Sequence, residues 1–223
     1  MKKDKRQNEL GYIILTPIMR VLFRLWYNPK IINKKVIPKE GPIIIACNHK
    51  HIYDQCLAIM STKRPIHYMA KKEYFEGNLA WFFKLVGCIS VDRQNHDKNA
   101  TEKAINILNN NGAIGIFPEG TRNKTYDKIL LDFKFGTVSM AQKTNATIIP
   151  CCVTGDYKFR SKNLIIRFGT PFKVSKNENL ERTNKYLYRQ INRLINNNLY
   201  ISKRTIQEEI NSHNQDKKKN KTY

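Results

Sequence analysis

The chain has 223 residues, of which 41% are hydrophobic, enough for one sizeable α/β domain with a small accessory segment. Forty lysines and arginines against 18 acidic residues give a net charge of +22, which favours nucleic acid, a membrane surface or an anionic substrate as partner. The five cysteines form no CxxC pair, so reduced, buried thiols are expected rather than disulfides or structural zinc.

The first predicted element is an amphipathic helix within residues 10–27, preceded by mostly charged or polar residues. Pro17, Arg20 and Arg24 interrupt its apolar positions, so the stretch makes a poor transmembrane span. A basic, aromatic-rich helix is typical of the membrane headgroup region, but the same pattern also fits a helix packed on a protein core. The net positive charge of the chain favours the membrane headgroup region over packing on a protein core. Residues 1–36 are therefore predicted to be a membrane-associating segment of a peripheral or monotopic protein on the cytoplasmic face of the cell membrane.

From residue 37 the chain alternates short apolar runs with helix-like segments, which predicts a single α/β domain with a largely parallel or mixed sheet flanked by helices. The domain is expected to extend over residues 37–205, and a basic, disordered tail to follow over 206–223. Trp81 is predicted to point inward and Gly112 to close a helix. Strands are predicted at 43–47, 66–69, 88–91, 113–117, 147–153 and 164–168, and helices at 54–61, 79–85, 98–110, 133–143 and 179–199.

Polar clusters directly follow two of the apolar runs. His49 and Asp54 (His-x4-Asp) come after the strand at 43–47, and the sequence Phe-Pro-Glu-Gly-Thr-Arg occupies residues 117–122. Ligands of open α/β sheets gather beyond the carboxyl ends of strands, so both clusters are expected to face one crevice. Taken singly, His49 also fits a hydrogen-bonded residue at a strand end, and 117–122 fits an ordinary turn. Together they indicate a general base that activates a hydroxyl group of a phosphorylated substrate.

Four short blocks occur in order along the chain. They are Asn-His-Lys-His-Ile-Tyr-Asp at 48–54, Gly-Cys-Ile-Ser-Val-Asp-Arg at 87–93, the run at 117–122, and Ile-Pro at 149–150. These blocks resemble those of the glycerolipid acyltransferases, most closely the lysophosphatidate (1-acyl-sn-glycerol-3-phosphate) acyltransferases. The resemblance covers about residues 40–170. It departs from the family pattern at His51, where Ser is frequent, and at Asn123, where Ser often follows the arginine.

The resemblance implies acyl transfer from acyl-CoA or acyl carrier protein to the free hydroxyl of lysophosphatidate, giving phosphatidate at an anionic membrane surface. His49 would be the general base and Asp54 its orienter. A thioester is already an activated donor, so no cofactor or metal is expected. Glycerol-3-phosphate and other lysophospholipids are alternative acceptors; a basic nucleic-acid-binding protein is the alternative of a different class, although no nucleic-acid partner is expected of the enzyme. The residues implied in acceptor binding are Glu119, Gly120, Thr121, Arg122, Arg93 and Lys71.

Overall fold

A computed structural model describes the backbone of residues 2–78, 80–92, 97–125 and 128–219. Within these ranges it describes the side chains of residues 11–200. In this part of the chain, one mixed sheet is flanked by α-helices, which confirms the expected single α/β domain. The strands are β1 (Lys30–Ile32), β2 (Ile43–Cys47), β3 (Ile66–Lys71), β4 (Ile89–Val91), β5 (Ala113–Ile116), β6 (Thr147–Thr154) and β7 (Ile165–Phe168). The helices are α1 (Lys2–Tyr27), α2 (Asp54–Ser61), α3 (Ala80–Leu85), α4 (Lys98–Asn109), α5 (Gly136–Thr144) and α6 (Leu180–Lys219).

The strand order of the sheet is β1-β7-β6-β2-β5-β3-β4. Within the described residues every neighbouring pair is parallel except β6 with β7. β2 and β5 are buried along their whole length, as the unbroken apolar runs of central parallel strands require. Ala46 pairs with Ile116, so these two strands end side by side. The sheet thereby brings the two polar clusters to one edge.

Two hydrophobic cores cover the two faces of the sheet. On one face, side chains of α4, α5 and α6 such as Leu108, Val138 and Leu187 pack over β2 and β5. On the other face, the core includes Leu57 of α2, and Phe23 of α1 packs against this core. The apolar positions of these helices recur at helical spacing, which is why each buries one side against the strands.

Helix α4 is closed by a pair of residues rather than by glycine alone. Asn111 takes the left-handed conformation (φ 59°), and the N–H of Gly112 donates to the carbonyl oxygen of Ile107 at 2.8 Å. A Cβ at position 112 would lie 2.4 Å from Cγ2 of Ile107, so glycine is required here for close approach. The prediction that Gly112 closes the helix is corrected to this extent, since Asn tolerates the left-handed region better than most side chains.

Three other expectations need correction. Residues 30–32, placed by the sequence in the membrane-associating segment, form β1 and pair with β7. Trp81, predicted inward, is 62% exposed, because α3 packs on α1 and the preceding 3₁₀ turn instead of the sheet. Residues 206–219, predicted as a disordered tail, continue α6, and no Gly or Pro interrupts the sequence between residues 180 and 219.

Helix α1 has two different faces. On the inner face Tyr12 is buried, and its hydroxyl donates to the carbonyl oxygen of Arg64 at 2.9 Å. The outer face exposes a row of large apolar side chains: Ile14, Ile18, Val21, Leu22, Leu25 and Trp26. Among the described residues, no helix combines the length and hydrophobicity needed to cross a bilayer.

Candidate active site

The carboxylate of Asp54, at the start of α2, lies beside the imidazole of His49. Nδ1 of His49 is 3.0 Å from Oδ2, and the backbone N–H groups of Lys50 and His51 each donate to the same oxygen at 2.7 Å. The hydroxyl of Tyr157 donates to Oδ1 at 2.7 Å. Asp54 is 1% exposed, and these bonds offset the cost of burying a carboxylate. Because hydrogen-bond donors surround this carboxylate, it also accepts the N–H of Nδ1. Nε2 of the neutral imidazole then carries no hydrogen and can accept a proton.

The backbone of His49 is held by the second polar cluster. Its N–H donates to Oε1 of Glu119 at 2.7 Å, and its carbonyl oxygen accepts the N–H of Asn123 at 2.7 Å. The ring of Phe117 stacks on the imidazole at a centroid distance of 3.8 Å and an angle of 10°. The loop after β5 therefore fixes both the main chain and the ring of the histidine that follows β2.

Glu119 uses both carboxylate oxygens to hold backbone. Oε1 accepts from His49 and Oε2 accepts the N–H of Leu131 at 2.8 Å, and the residue is 3% exposed. Burial raises the pKa of Glu119 above its usual value, and the two N–H bonds partly offset the rise. A negative group committed in this way is suited to bracing the site and unsuited to direct contact with a phosphate.

Asn48 extends the strand pairing by one residue beyond β2. Its side-chain amide donates to the carbonyl oxygen of Val153 at 3.0 Å and accepts the N–H of Val153 at 2.7 Å. This contact sets the point at which His49 leaves the sheet. In the sequence Asn48 stands out only as a member of the first block, because its partner in β6 is 105 residues away.

Tyr157 and His51 form the outer support of the His49–Asp54 pair. The ring of His51 stacks on Tyr157 at 4.2 Å, and Tyr53 lies 5.0 Å from His51. Burial lowers the pKa of His51, which favours a neutral imidazole. Burial and the negative charge of Asp54 raise the pKa of Tyr157 far above its usual value, so its hydroxyl remains a donor. No motif singles out Tyr157 in the sequence.

A cavity of about 600 Å³ opens beside His49, between α4, α5 and the carboxyl end of β5. Much of its wall is apolar, with Met69, Val91, Ile105, Ile116 and Met140. The charged residues of the wall are Lys98, Lys134, Lys143, Asp92, Asp97 and Glu102. Among the residues that the structure describes, no group of three His, Cys, Asp or Glu side chains is arranged to hold a metal ion.

Lys134 enters this cavity across Gly120. Gly120 has φ +71°, and a Cβ there would lie 2.8 Å from Cε and 3.1 Å from Nζ of Lys134. The backbone N–H of Lys134 donates to the carbonyl oxygen of Pro118 at 2.8 Å, which ties the lysine to the Pro-Glu-Gly turn. The left-handed glycine thus clears the path of a lysine toward the space next to His49.

Other predicted acceptor ligands are not among the described residues that line this cavity. Thr121, Arg122 and Lys71 are exposed and are not among the described residues of its wall. The charge of Arg122 instead contributes to the lowered pKa of His51. Arg93 lies outside the described residues. Both clusters therefore contribute to the cavity wall, through His49 and Gly120, and acceptor contacts by Thr121, Arg122 and Lys71 stay predictions.

Comparison with known proteins points in one direction. The family model described as acyltransferase matches residues 28–154. The 1-acyl-sn-glycerol-3-phosphate acyltransferase of Bacillus subtilis (strain 168) is 33% identical over 139 residues, which cover 61% of this chain and 68% of that protein. The enzyme of the same name from Borreliella burgdorferi is 32% identical over 166 residues, covering 72% of this chain and 65% of that protein.

A solved structure has a similar fold. The crystal structure of the 1-acyl-sn-glycerophosphate (LPA) acyltransferase PlsC from Thermotoga maritima aligns with a TM-score of 0.63. The alignment covers 86% of this chain and 76% of that one, at 20% identity. At this level of identity the likeness supports the fold alone.

Proposed function

The chain belongs to the acyltransferase family, and from this premise we propose that it transfers a fatty acyl group to the free hydroxyl of lysophosphatidate, giving phosphatidate. The donor is the thioester of acyl-CoA or acyl carrier protein. The proposal rests on one observation: the His49–Asp54 contact stands at the edge of a cavity with an apolar wall and lysine side chains. Family membership also favours this function over the nucleic-acid-binding alternative.

An alcohol is a weak nucleophile at neutral pH, and general-base assistance is the chemistry that His49 can supply. Nε2 takes the proton of the acceptor hydroxyl while its oxygen attacks the carbonyl carbon of the thioester. Asp54 stabilises the imidazolium that forms. When the tetrahedral intermediate collapses, the C–S bond breaks and the proton passes from Nε2 to the leaving thiolate. Assistance of this kind contributes about 10²–10⁴-fold to the rate.

Acceptor binding is assigned first to Lys134. A phosphate monoester needs cationic partners, and Lys134 reaches the cavity beside the loop that holds His49. Gly120 contributes by leaving room for that side chain, and Glu119 by holding the backbone of His49. The apolar part of the wall suits a fatty acyl chain. Contacts of the acceptor with Thr121, Arg122, Arg93 and Lys71 stay predictions from the family resemblance.

The enzyme is proposed to work on the cytoplasmic face of the cell membrane, as a peripheral or monotopic protein. The exposed apolar side chains on the outer face of α1 support this location, together with the net charge of +22. An acceptor that carries a long acyl chain resides in the bilayer. A surface that rests on the bilayer would therefore bring the cavity to its substrate.

The test replaces His49 with Ala and follows thiol release from acyl-CoA together with phosphatidate formation. We expect the rate to fall by about 10²–10⁴-fold, with folding intact. His67→Gln is the matched control, because its ring bonds the carbonyl oxygen of Gly87 and is not part of the cavity wall. Undiminished turnover by His49→Ala would remove His49 as the base. Parallel reactions with glycerol-3-phosphate, other lysophospholipids and acyl carrier protein identify the acceptor and donor.

A further inference from the structure

A second cavity, of about 830 Å³, lies at the carboxyl end of α1. It is bounded by α1, by β1 with the turn that follows it, and by Met60 of α2. Met60 and Ile31 belong to the hydrophobic core on the α2 face of the sheet, whereas the apolar wall of the His49 cavity belongs to the core on the opposite face. The two cavities share no lining residue, so this cleft is separate from the proposed acyl-transfer site.

The cleft concentrates positive charge without a counter-charge. Its described wall contains four cationic residues, Arg20, Arg24, Lys30 and Lys34, and no Asp or Glu. Like charges gathered in this way repel one another, and an anion in the cleft would relieve the repulsion.

Two of these cations are held in place by the protein. The guanidinium of Arg20 donates to the carbonyl oxygens of Ile59 and Thr62, and that of Arg24 donates to the carbonyl oxygen of Pro29 at 3.0 Å. Lys30 and Lys34 are exposed, and neither ammonium has a hydrogen-bond or ion-pair partner in the described part of the chain. The arginines therefore form a fixed base, and the lysines are free to close on a ligand.

The rest of the wall is apolar and joins the outer face of α1. Val21 and Leu25 line the cleft and are 58% and 65% exposed. They are members of the same exposed row as Ile14, Ile18 and Leu22. A small soluble anion would not contact these apolar side chains. An anionic headgroup attached to acyl chains matches both the charge and the apolar row.

We propose that this cleft binds the headgroup of an anionic membrane phospholipid, whose acyl chains lie along the exposed apolar face of α1. The lipid is a bound partner and not the acyl acceptor, because the cleft contains neither His49 nor Asp54. The site would hold α1 against the bilayer at a defined position along its length. It does not depend on the identity of the substrate at His49.

The test is a vesicle flotation assay of the full chain. K30Q/K34Q is compared with K173Q/K176Q, which removes the same charge from exposed lysines outside the cleft. Vesicles contain phosphatidylcholine with or without phosphatidylglycerol. A lysine at an anionic lipid surface contributes about fivefold to binding. We expect K30Q/K34Q to lose roughly tenfold or more on phosphatidylglycerol vesicles and the control pair to lose clearly less. Equal losses by the two pairs would overturn the site in favour of diffuse surface charge.

A second readout uses Trp26, which follows Leu25 on α1. In a W81F background Trp26 is the remaining tryptophan, since the sequence has two. Phosphatidylglycerol vesicles with brominated acyl chains should quench its fluorescence in K173Q/K176Q but less in K30Q/K34Q. If inorganic phosphate occupies the cleft as tightly as the lipid headgroup does, the cleft is a site for soluble anions and the proposal is wrong.

Activity separates this inference from the proposed function. Transfer to a short-chain, soluble lysophosphatidate, measured without vesicles, should be unchanged in K30Q/K34Q. Absence of transfer by the wild-type chain would count against the proposed function and leave the vesicle result intact. A loss of soluble transfer in K30Q/K34Q alone would show that the cleft serves the reaction directly, contrary to the proposal.

Discussion

Oε1 of Glu119 accepts the backbone N–H of His49 at 2.7 Å, although 70 residues of chain separate them. The other oxygen of Glu119 accepts the N–H of Leu131. One buried carboxylate therefore couples the loop after β2, the turn after β5 and the chain that leads to Lys134. The position of the proposed base depends on this brace.

Glu119→Gln should damage the brace while preserving its shape. The amide replaces one acceptor with a donor, so one of the two partly buried backbone N–H groups is left facing an NH₂ group. We expect the free energy of unfolding to fall by about 1–3 kcal/mol and the transfer rate to fall with it. Urea unfolding measures the first effect. Glu73→Gln, an exposed position outside the cavity wall, is the control and should behave like the wild type.

The pH dependence of stability tests the raised pKa of Glu119. Burial raises this pKa above its usual value of 4.5 in the folded protein, so the native state binds the proton more readily than the unfolded state. The resulting stabilisation is full below 4.5 and is lost as pH rises through the folded pKa. Urea unfolding at a series of pH values should show the advantage of the wild type over Glu119→Gln growing as pH falls. An advantage that shrinks toward acid would contradict the assignment.

Local patterns in the sequence predict the elements that carry His49 and Asp54. The apolar run 43–47 matches β2 at both ends, and 54–61 matches α2, because each pattern reports the burial of its own residues. The contacts that complete the site come from distant parts of the chain. Tyr157 reaches Asp54 across 103 residues, and no local pattern encodes that approach.

The residues that line the cavity also depend on contacts that no local sequence pattern encodes. The resemblance implies Arg122, two residues after Gly120, as one of the acceptor ligands, and that assignment stays a prediction. In the structure Lys134 is among the described residues of the wall and Arg122 is not, and the side chain of Lys134 passes Gly120. Which side chain faces the cavity depends on the direction in which the chain leaves a left-handed residue, and composition does not report that direction.

Tyr157→Phe should lower the rate through Asp54 without affecting substrate binding. Its hydroxyl bonds Oδ1 of Asp54 at 2.7 Å, and a hydrogen bond to a charged group is worth about 1.5–3 kcal/mol. We expect kcat to fall about tenfold or more and KM for both substrates to stay near the wild-type value.

The split between kcat and KM distinguishes this positioning role from a general loss of structure. Without the hydroxyl of Tyr157 the carboxylate of Asp54 is held by one hydrogen bond fewer, so it should orient the ring of His49 less well and lower kcat without changing KM. Tyr53→Phe is the control, because Tyr53 also contacts His51 but has no hydrogen bond to Asp54. A kcat of Tyr157→Phe equal to that of the wild type would show that Tyr157 contributes packing and does not position Asp54.

Gly120→Ala should act on Lys134 through a single methyl group. The left-handed backbone at φ +71° disfavours alanine, and the new Cβ would lie 2.8 Å from Cε of Lys134. We expect a loss of about 1 kcal/mol in the free energy of unfolding and a higher KM for lysophosphatidate. Gly41→Ala is the matched control, since it has the same left-handed backbone (φ +78°), no atom within 4 Å of an added Cβ, and no place in the cavity wall. An unchanged KM in Gly120→Ala would mean that Lys134 can bind the acceptor without its side chain passing over residue 120.

Lys134→Met tests whether this ammonium binds the acceptor phosphate. Methionine keeps the apolar stem that crosses Gly120 and removes the charge, so packing should survive while one ionic contact is lost. We expect KM for lysophosphatidate to rise about tenfold, the size of one hydrogen bond to a charged group, with a smaller change in KM for acyl-CoA. Lys103→Met, on α4 but outside the cavity wall, controls for the loss of one charge from the whole protein. If the KM for acyl-CoA rises instead, Lys134 faces the donor, and the acceptor phosphate must be held by other cations.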